Sequence, residues 1–136
     1  MATPVRRPSA SVPATHSPGY TPAAPVPVVA PFGWILALGA GIGLVLATWM
    51  IYPTDYDGMW AGYRDGIIGT LVIIAAMWLR SSLPAAPALG LIAVCGVAAV
   101  LFAVFLDNST KVFVAELSAG IVMLVGVGFQ ASGRRE

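Results

Sequence analysis

The sequence predicts an all-α, polytopic membrane protein with four transmembrane helices, arranged as two helical hairpins in tandem. Three observations carry that reading. Hydrophobic residues make up 58% of the 136-residue chain and charged residues only 10%, where a soluble domain holds about a quarter charged. Mean hydropathy is accordingly high, at +0.86. The apolar residues also gather into four runs within the last hundred or so positions, and turn-forming or charged residues collect between them.

Residues 1–32 are a different material. Eight of the 11 prolines lie there (positions 4, 8, 13, 18, 22, 25, 27 and 31), interspersed with Ala, Ser, Thr and Val. Such a segment has too little apolar surface to offset the entropy of ordering and favours coil or polyproline II. It is expected to form a retained, extended cytoplasmic tail. Arg6 and Arg7 suggest a twin-arginine signal, but the apolar stretch begins only at Phe32, too far away for a secretory leader.

The transmembrane domain is expected over 33–131, with helices at 33–52, 59–79, 85–106 and 112–130, and a short C-terminal tail at 132–136. Each run is near the roughly 20 residues that cross a hydrocarbon core of about 30 Å. Pro53 ends the first, and Thr54-Asp55-Tyr56-Asp57-Gly58 is turn chemistry, with Asp57 a candidate cap for the second. Arg80-Ser-Ser-Leu-Pro-Ala-Ala-Pro closes the second and opens the third with a proline. Asp107-Asn108-Ser109-Thr110 both stops the third and starts the fourth.

Basic residues set the expected orientation. Arg6, Arg7, Arg80, Arg134 and Arg135 fall on the side of the N-terminus, and only Arg64 and Lys111 fall opposite. That asymmetry puts both termini in the cytoplasm of a bacterial cytoplasmic (inner) membrane protein.

Sliding the chain by 51 residues pairs Asp65 with Glu116, Gly69 with Gly120, Ala47 with Ala98, and Ala37-Leu38-Gly39 with Ala88-Leu89-Gly90. An acid four residues before a glycine recurs in both halves, as tandem hairpins would require. At these residues the chain resembles the SPW-repeat membrane proteins. Tyr52-Pro53-Thr54 stands at the Ser-Pro-Trp position, and Tyr63-Arg64-Asp65-Gly66-Ile67-Ile68-Gly69-Thr70-Leu71-Val72 is similar to the family's second element. Ala119-Gly120-Ile121-Val122 keeps part of that element in the later half. The resemblance spans about 33–130 and implies paired transmembrane helices in each repeat; it implies no reaction.

The residue inventory argues against catalysis. The one histidine, His16, lies in the tail, so no embedded histidine is available for haem or chlorophyll ligation. No phosphate loop, zinc spacing or Ser-His-Asp set is present. Cys95 and the five methionines are scattered without ligand spacing and read as core. No catalytic, cofactor-binding or metal residue is assigned, no cofactor is expected, and the chain is read as a non-enzyme. A net charge of +1 gives no basic face for nucleic acid, and no small-molecule substrate is evident.

Three intramembrane ionisable residues stand out: Arg64, Asp65 and Glu116. Acids inside a membrane segment are functional candidates by default. Yet both acids lie only about a turn and a half into their helices, where Arg64, Lys111 or the helix dipole could satisfy them, and pairing or capping is the favoured expectation. Trp49, Trp60, Tyr52, Tyr56 and Tyr63 cluster at the outer boundary, with Trp34 and Trp78 at the inner one, as aromatic belts do. Trp60 is a candidate partner contact. Small residues line the helices at close-packing spacing, above all Gly39-x-x-x-Gly43 and Gly62-x-x-x-Gly66.

The expected function is a non-catalytic accessory or structural subunit of a larger membrane complex, respiratory or photosynthetic, contacting other integral membrane subunits and lipids. Two alternatives stand beside it. One is a small oligomeric transporter or channel using Asp65, Arg64 and Glu116. The other is an adaptor that recruits partners through its proline-rich tail, where Arg6 and Arg7 would meet acidic groups or lipid phosphates and Tyr20 would serve as an apolar anchor.

Overall fold

Proline and short polar segments break the apolar sequence at three places, and each break becomes a tight connection between helices. The computed structural model describes residues 30–135. In it α1 spans Ala30–Met50, α2 Tyr56–Trp78, α3 Ala86–Phe105 and α4 Thr110–Ser132. The tail of residues 1–29, with Arg6, Arg7, His16 and Tyr20, lies outside the described residues.

The boundaries shift from the sequence expectation in ways that local chemistry explains. α1 begins three residues before the expected 33, because a proline in the first helical turn sacrifices no intrahelical hydrogen bond. α2 begins at Tyr56 and is capped by Asp55, whose side chain accepts from Gly58 N at 2.8 Å. The cap is therefore Asp55 rather than Asp57, which lies in the first turn and favours the positive end of the helix dipole. Gly58 is required here, since a Cβ would sit 2.1 Å from Pro53 O. Pro87 occupies the start of α3, where its missing N–H costs nothing.

Each helix packs antiparallel on its chain neighbour, and α1 also packs on α4, so the four form a closed ring in which α2 and α4 barely touch across the diagonal. Three of them, α1 from Phe32, α3 and α4, are long and apolar enough to cross a membrane. α2 is long enough, at 23 residues, but it is not among the apolar spans; Asp57, Arg64 and Asp65 occupy its N-terminal half. Of the four expected spans, three are therefore shown by length and apolarity.

Small side chains hold the ring together. The core joins Ala37, Leu44, Val72, Ala75, Ile92 and Met123 from all four helices. Glycine lets backbones touch at three crossings, where a Cβ on Gly69 would lie 2.8 Å from Gly41 O, one on Gly120 2.8 Å from Gly96 O, and one on Gly33 2.7 Å from Gly126 O.

Those crossings expose a true internal repeat. Every buried residue of α4 (Val112, Glu116, Ala119, Gly120, Met123 and Gly126) lies 51 positions after a buried residue of α2. The first helices match at a different offset. Gly33, Ala37, Ala40, Gly41 and Leu44 of α1 are buried like Ala88, Ile92, Cys95, Gly96 and Ala99 of α3, 55 positions later. The hairpins are alike, with one helical turn inserted between the registers. Ala37-Leu38-Gly39 and Ala88-Leu89-Gly90 are thus not structural equivalents.

Candidate functional site: a buried charged network

The repeat places Asp65 and Glu116 at matching depth, facing the interior. Both are fully buried, at 0% exposure. The sequence places both acids about a turn and a half into their helices; helix phase turns them inward, and depth along the helix does not reveal that.

One cation serves both. The Arg64 side chain, 22% exposed, donates from Nε to Asp65 Oδ1 at 3.3 Å and from its terminal nitrogen to Glu116 Oε1. Its guanidinium lies over the Phe102 ring at 4.6 Å, a cation–π contact with α3. Lys111, the other expected partner, makes no salt bridge among the described residues.

Each acid also receives a donor from the loop before its own helix. Tyr52 OH donates to Asp65 Oδ2. Asn108 Nδ2 donates to Glu116 Oε2 at 2.9 Å and bridges to Phe102 O at 3.2 Å, where α3 ends. Burial, and the Asp65 carboxylate beside it, push the Tyr52 phenol well above the usual tyrosine range, which keeps it a donor. Tyr52, expected in the outer aromatic belt, is 8% exposed and belongs to the network.

The sequence singles out Arg64, Asp65 and Glu116, but it offers Tyr52 only as a belt aromatic and Asn108 only as part of a helix break, and it gives Phe102 no role. A signal for two of them existed. In each half a polar loop residue precedes the acid-bearing helix, and a buried carboxylate needs such donors. The resulting network joins both hairpins and touches α2, α3, α4 and the α1–α2 connection. All its charged and hydrogen-bonding side chains find partners within the chain; among the described buried side-chain atoms only Gln130 Oε1, at the other end of α4, lacks one.

The glycine motifs fall elsewhere. A Cβ on Gly39, Gly43 or Gly66 would meet nothing within 4 Å, and one on Gly62 only Thr48 and Tyr52, at 3.8 and 4.0 Å. These glycines do not make the internal crossings; they line two open grooves. The α1–α2 groove, of about 610 Å³, is lined by Gly62, Gly66 and Thr70 with Trp49 and Tyr63 at its rim. The α1–α4 groove, of about 670 Å³, is lined by Gly39, Gly43, Ala47, Ala115 and Ser118, with Lys111 at its mouth. Trp60 projects outward from α2 at 61% exposure. At the opposite end Arg80 lies 4.9 Å over the Trp34 ring.

No family model, curated protein or solved structure matches the chain. The resemblance to the SPW-repeat proteins therefore rests on its motif residues alone.

Proposed function

We propose that this chain is a non-catalytic integral membrane protein that spans the bilayer four times and serves as an accessory, structural subunit of a larger complex. A respiratory or photosynthetic assembly of the bacterial inner membrane is the setting we favour. α2 belongs among the spans on this reading. If α1 and α3 cross in the same direction, the chain between them has to return, and a helix of 23 residues reaches about 35 Å. Of the ionic groups that lower its apolarity, Arg64 and Asp65 are partnered in the interior, and Asp57 lies exposed in the first turn.

The observation that supports a structural role is the closure of the network. Each of its polar side chains is satisfied inside the chain, and both open grooves are predominantly apolar. Gly62, Gly66 and Thr70 leave room for a neighbouring helix to approach α2 closely, and the exposed Trp60 and Tyr63 flank that face. The basic end, with Arg80, Arg134 and Arg135, faces the cytoplasm on this reading.

Purification of the full chain in mild detergent, followed by mass spectrometry of co-eluting proteins, tests the proposal. Stoichiometric membrane partners are expected, and their yield should fall when residues 2–28 are deleted if the tail contributes to docking. A second reading has one observation in its favour: two buried carboxylates share one arginine, an arrangement that could carry a proton or cation. A pure homo-oligomer whose liposomes conduct ions, and lose that flux in Asp65→Asn, would replace the first reading with this one.

A further inference from the structure

The internal repeat duplicates the acid of the network but not its base. Glu116 stands 51 positions after Asp65, whereas the residue 51 positions after Arg64 is Ala115. Two buried carboxylates therefore share one guanidinium, and with both acids ionised the network carries one uncompensated negative charge. No other charged side chain among the described residues relieves it. α1 has no ionisable residue, and the only one on α3 is Cys95, about two turns from Phe102. On α4 Lys111 is exposed and makes no salt bridge, and on α2 Asp57 and Tyr63 are exposed. The two connections bring the neutral donors Tyr52 and Asn108.

A dry interior does not sustain an unpaired charge; the group neutralises by binding a proton or a cation. A hard cation needs several oxygen ligands around an open space. Neither open groove is lined by Asp65 or Glu116, and each of the four carboxylate oxygens already faces a donor of the protein. That favours a proton, and the donors decide where it goes.

The O–H of a protonated acid needs an acceptor. The nitrogens of Arg64 can only donate. The amide of Asn108 is held in one orientation, because the nitrogen that donates to Glu116 Oε2 at 2.9 Å also donates to Phe102 O at 3.2 Å. Turning its oxygen toward Glu116 would break that second bond. Of the three donors, only the Tyr52 hydroxyl can also accept. Asp65 is the more weakly held acid as well: its contact with Arg64 Nε is 3.3 Å, beyond the length of about 2.7–2.9 Å of a strong charge-assisted bond.

We propose that the network binds one proton on Asp65 Oδ2, that the acid then donates to the Tyr52 hydroxyl, and that Glu116 stays ionised against Arg64. The Tyr52–Asp65 hydrogen bond reverses direction, and Tyr52 keeps its own hydrogen, which turns away from the acid. One unpaired neutral hydroxyl costs less than one unpaired buried charge. What remains is a neutral Arg64–Glu116 pair joining α2 to α4. The inference concerns a bound proton, and it rests on neither the accessory-subunit reading nor the transport reading.

Infrared spectroscopy of the purified full chain, titrated from alkaline to acidic pH, tests it, because a protonated carboxylic acid has a C=O stretch separate from those of carboxylates and amides. The difference between wild type and Asp65→Asn should contain one such band. Cell-free synthesis with aspartate isotopically labelled at its side-chain carboxyl carbon should shift the band, and glutamate labelled in the same way should not. Tyr52→Phe should move it to higher frequency, since the acid then loses its acceptor. At a pH where the band is present, Asp65→Asn should melt close to wild type, because its amide donates to Tyr52 and its carbonyl accepts from Arg64. Glu116→Gln should melt well below both, because its amide nitrogen must face Arg64 or Asn108, donor against donor. A missing band, a band that moves with labelled glutamate, or an Asp65→Asn more damaging than Glu116→Gln would overturn the proposal. A missing band together with a melting temperature that rises specifically with sodium or potassium would assign the compensating charge to a cation instead.

Discussion

Arg64 of α2 reaches Glu116 of α4 across the diagonal of the ring, between two helices that otherwise barely touch. The same guanidinium holds Asp65 beside it. Removing one charge from a buried set leaves the others uncompensated, at a cost of about 3–5 kcal/mol. Arg64→Met should therefore destabilise the protein severely. The triple variant Arg64→Met, Asp65→Asn, Glu116→Gln should recover much of that loss, since it buries no net charge. Thermal unfolding in detergent, followed by circular dichroism, checks both. A triple variant no more stable than Arg64→Met alone would mean that the charges are not coupled as the geometry indicates.

The phenol of Tyr52 gives a pH dependence of definite sign. Its ionisation in the folded state is pushed above that of an ordinary tyrosine by burial and by the hydrogen bond to Asp65. The unfolded chain then releases a proton that the folded chain retains. The stabilising contribution is complete below pH about 10 and declines as pH rises above it. Tyr52→Phe should be less stable than wild type at pH 7, and the difference should narrow above pH 10. In a spectrophotometric phenolate titration of the folded protein, Tyr52→Phe should remove no amplitude below pH 11. Loss of one tyrosine's amplitude in that range would contradict the buried, donating phenol.

Orientation is open to a direct test. Cys95 is buried, so single cysteines can be introduced without removing it. Residues 57 and 109 lie at the end of the network, and residue 82 in the α2–α3 connection at the other. A membrane-impermeant maleimide added to intact cells should label Asp57→Cys and Ser109→Cys and leave Ser82→Cys untouched. Labelling at 82 alone would invert the topology.

Much of this architecture is legible in the sequence. Apolar runs and proline breaks gave four helices because each signal is local. The acid-x-x-x-glycine repeat identified the equivalent second helices, Asp65 with Gly69 and Glu116 with Gly120. What was not legible depends on helix phase and on contacts distant in sequence. Tyr52 sits among aromatic belt residues in sequence and turns inward only because α1 ends two residues earlier. Asp65 and Glu116 looked interfacial from their depth, yet phase decides their burial. The extra turn separating the registers of α1 and α3 is silent in an apolar sequence, where neighbouring offsets match nearly as well.

The glycines separate these two kinds of information most clearly, and they supply the last prediction. Gly39-x-x-x-Gly43 is the more conspicuous motif, but a Cβ at either position meets nothing within 4 Å. Gly120 belongs to no such pair, yet a Cβ there would fall 2.7 Å from Val100 Cγ2 and 2.8 Å from Gly96 O. The valine methyl can turn aside; the carbonyl belongs to the α3 backbone and can be relieved only by parting α3 from α4. Gly120→Ala should therefore destabilise by about 1–3 kcal/mol, the usual cost of overpacking a close contact. Gly43→Ala should be neutral or stabilise by up to about 1 kcal/mol, because alanine loses less backbone freedom on forming a helix. Gly69→Ala should follow Gly120→Ala, since its Cβ would lie 2.8 Å from Gly41 O in the equivalent crossing. Parallel thermal melts of the three variants decide the matter. If Gly43→Ala proves the most damaging and Gly120→Ala is tolerated, the hairpins cross at the conspicuous motif after all, and the packing described for the ring is wrong.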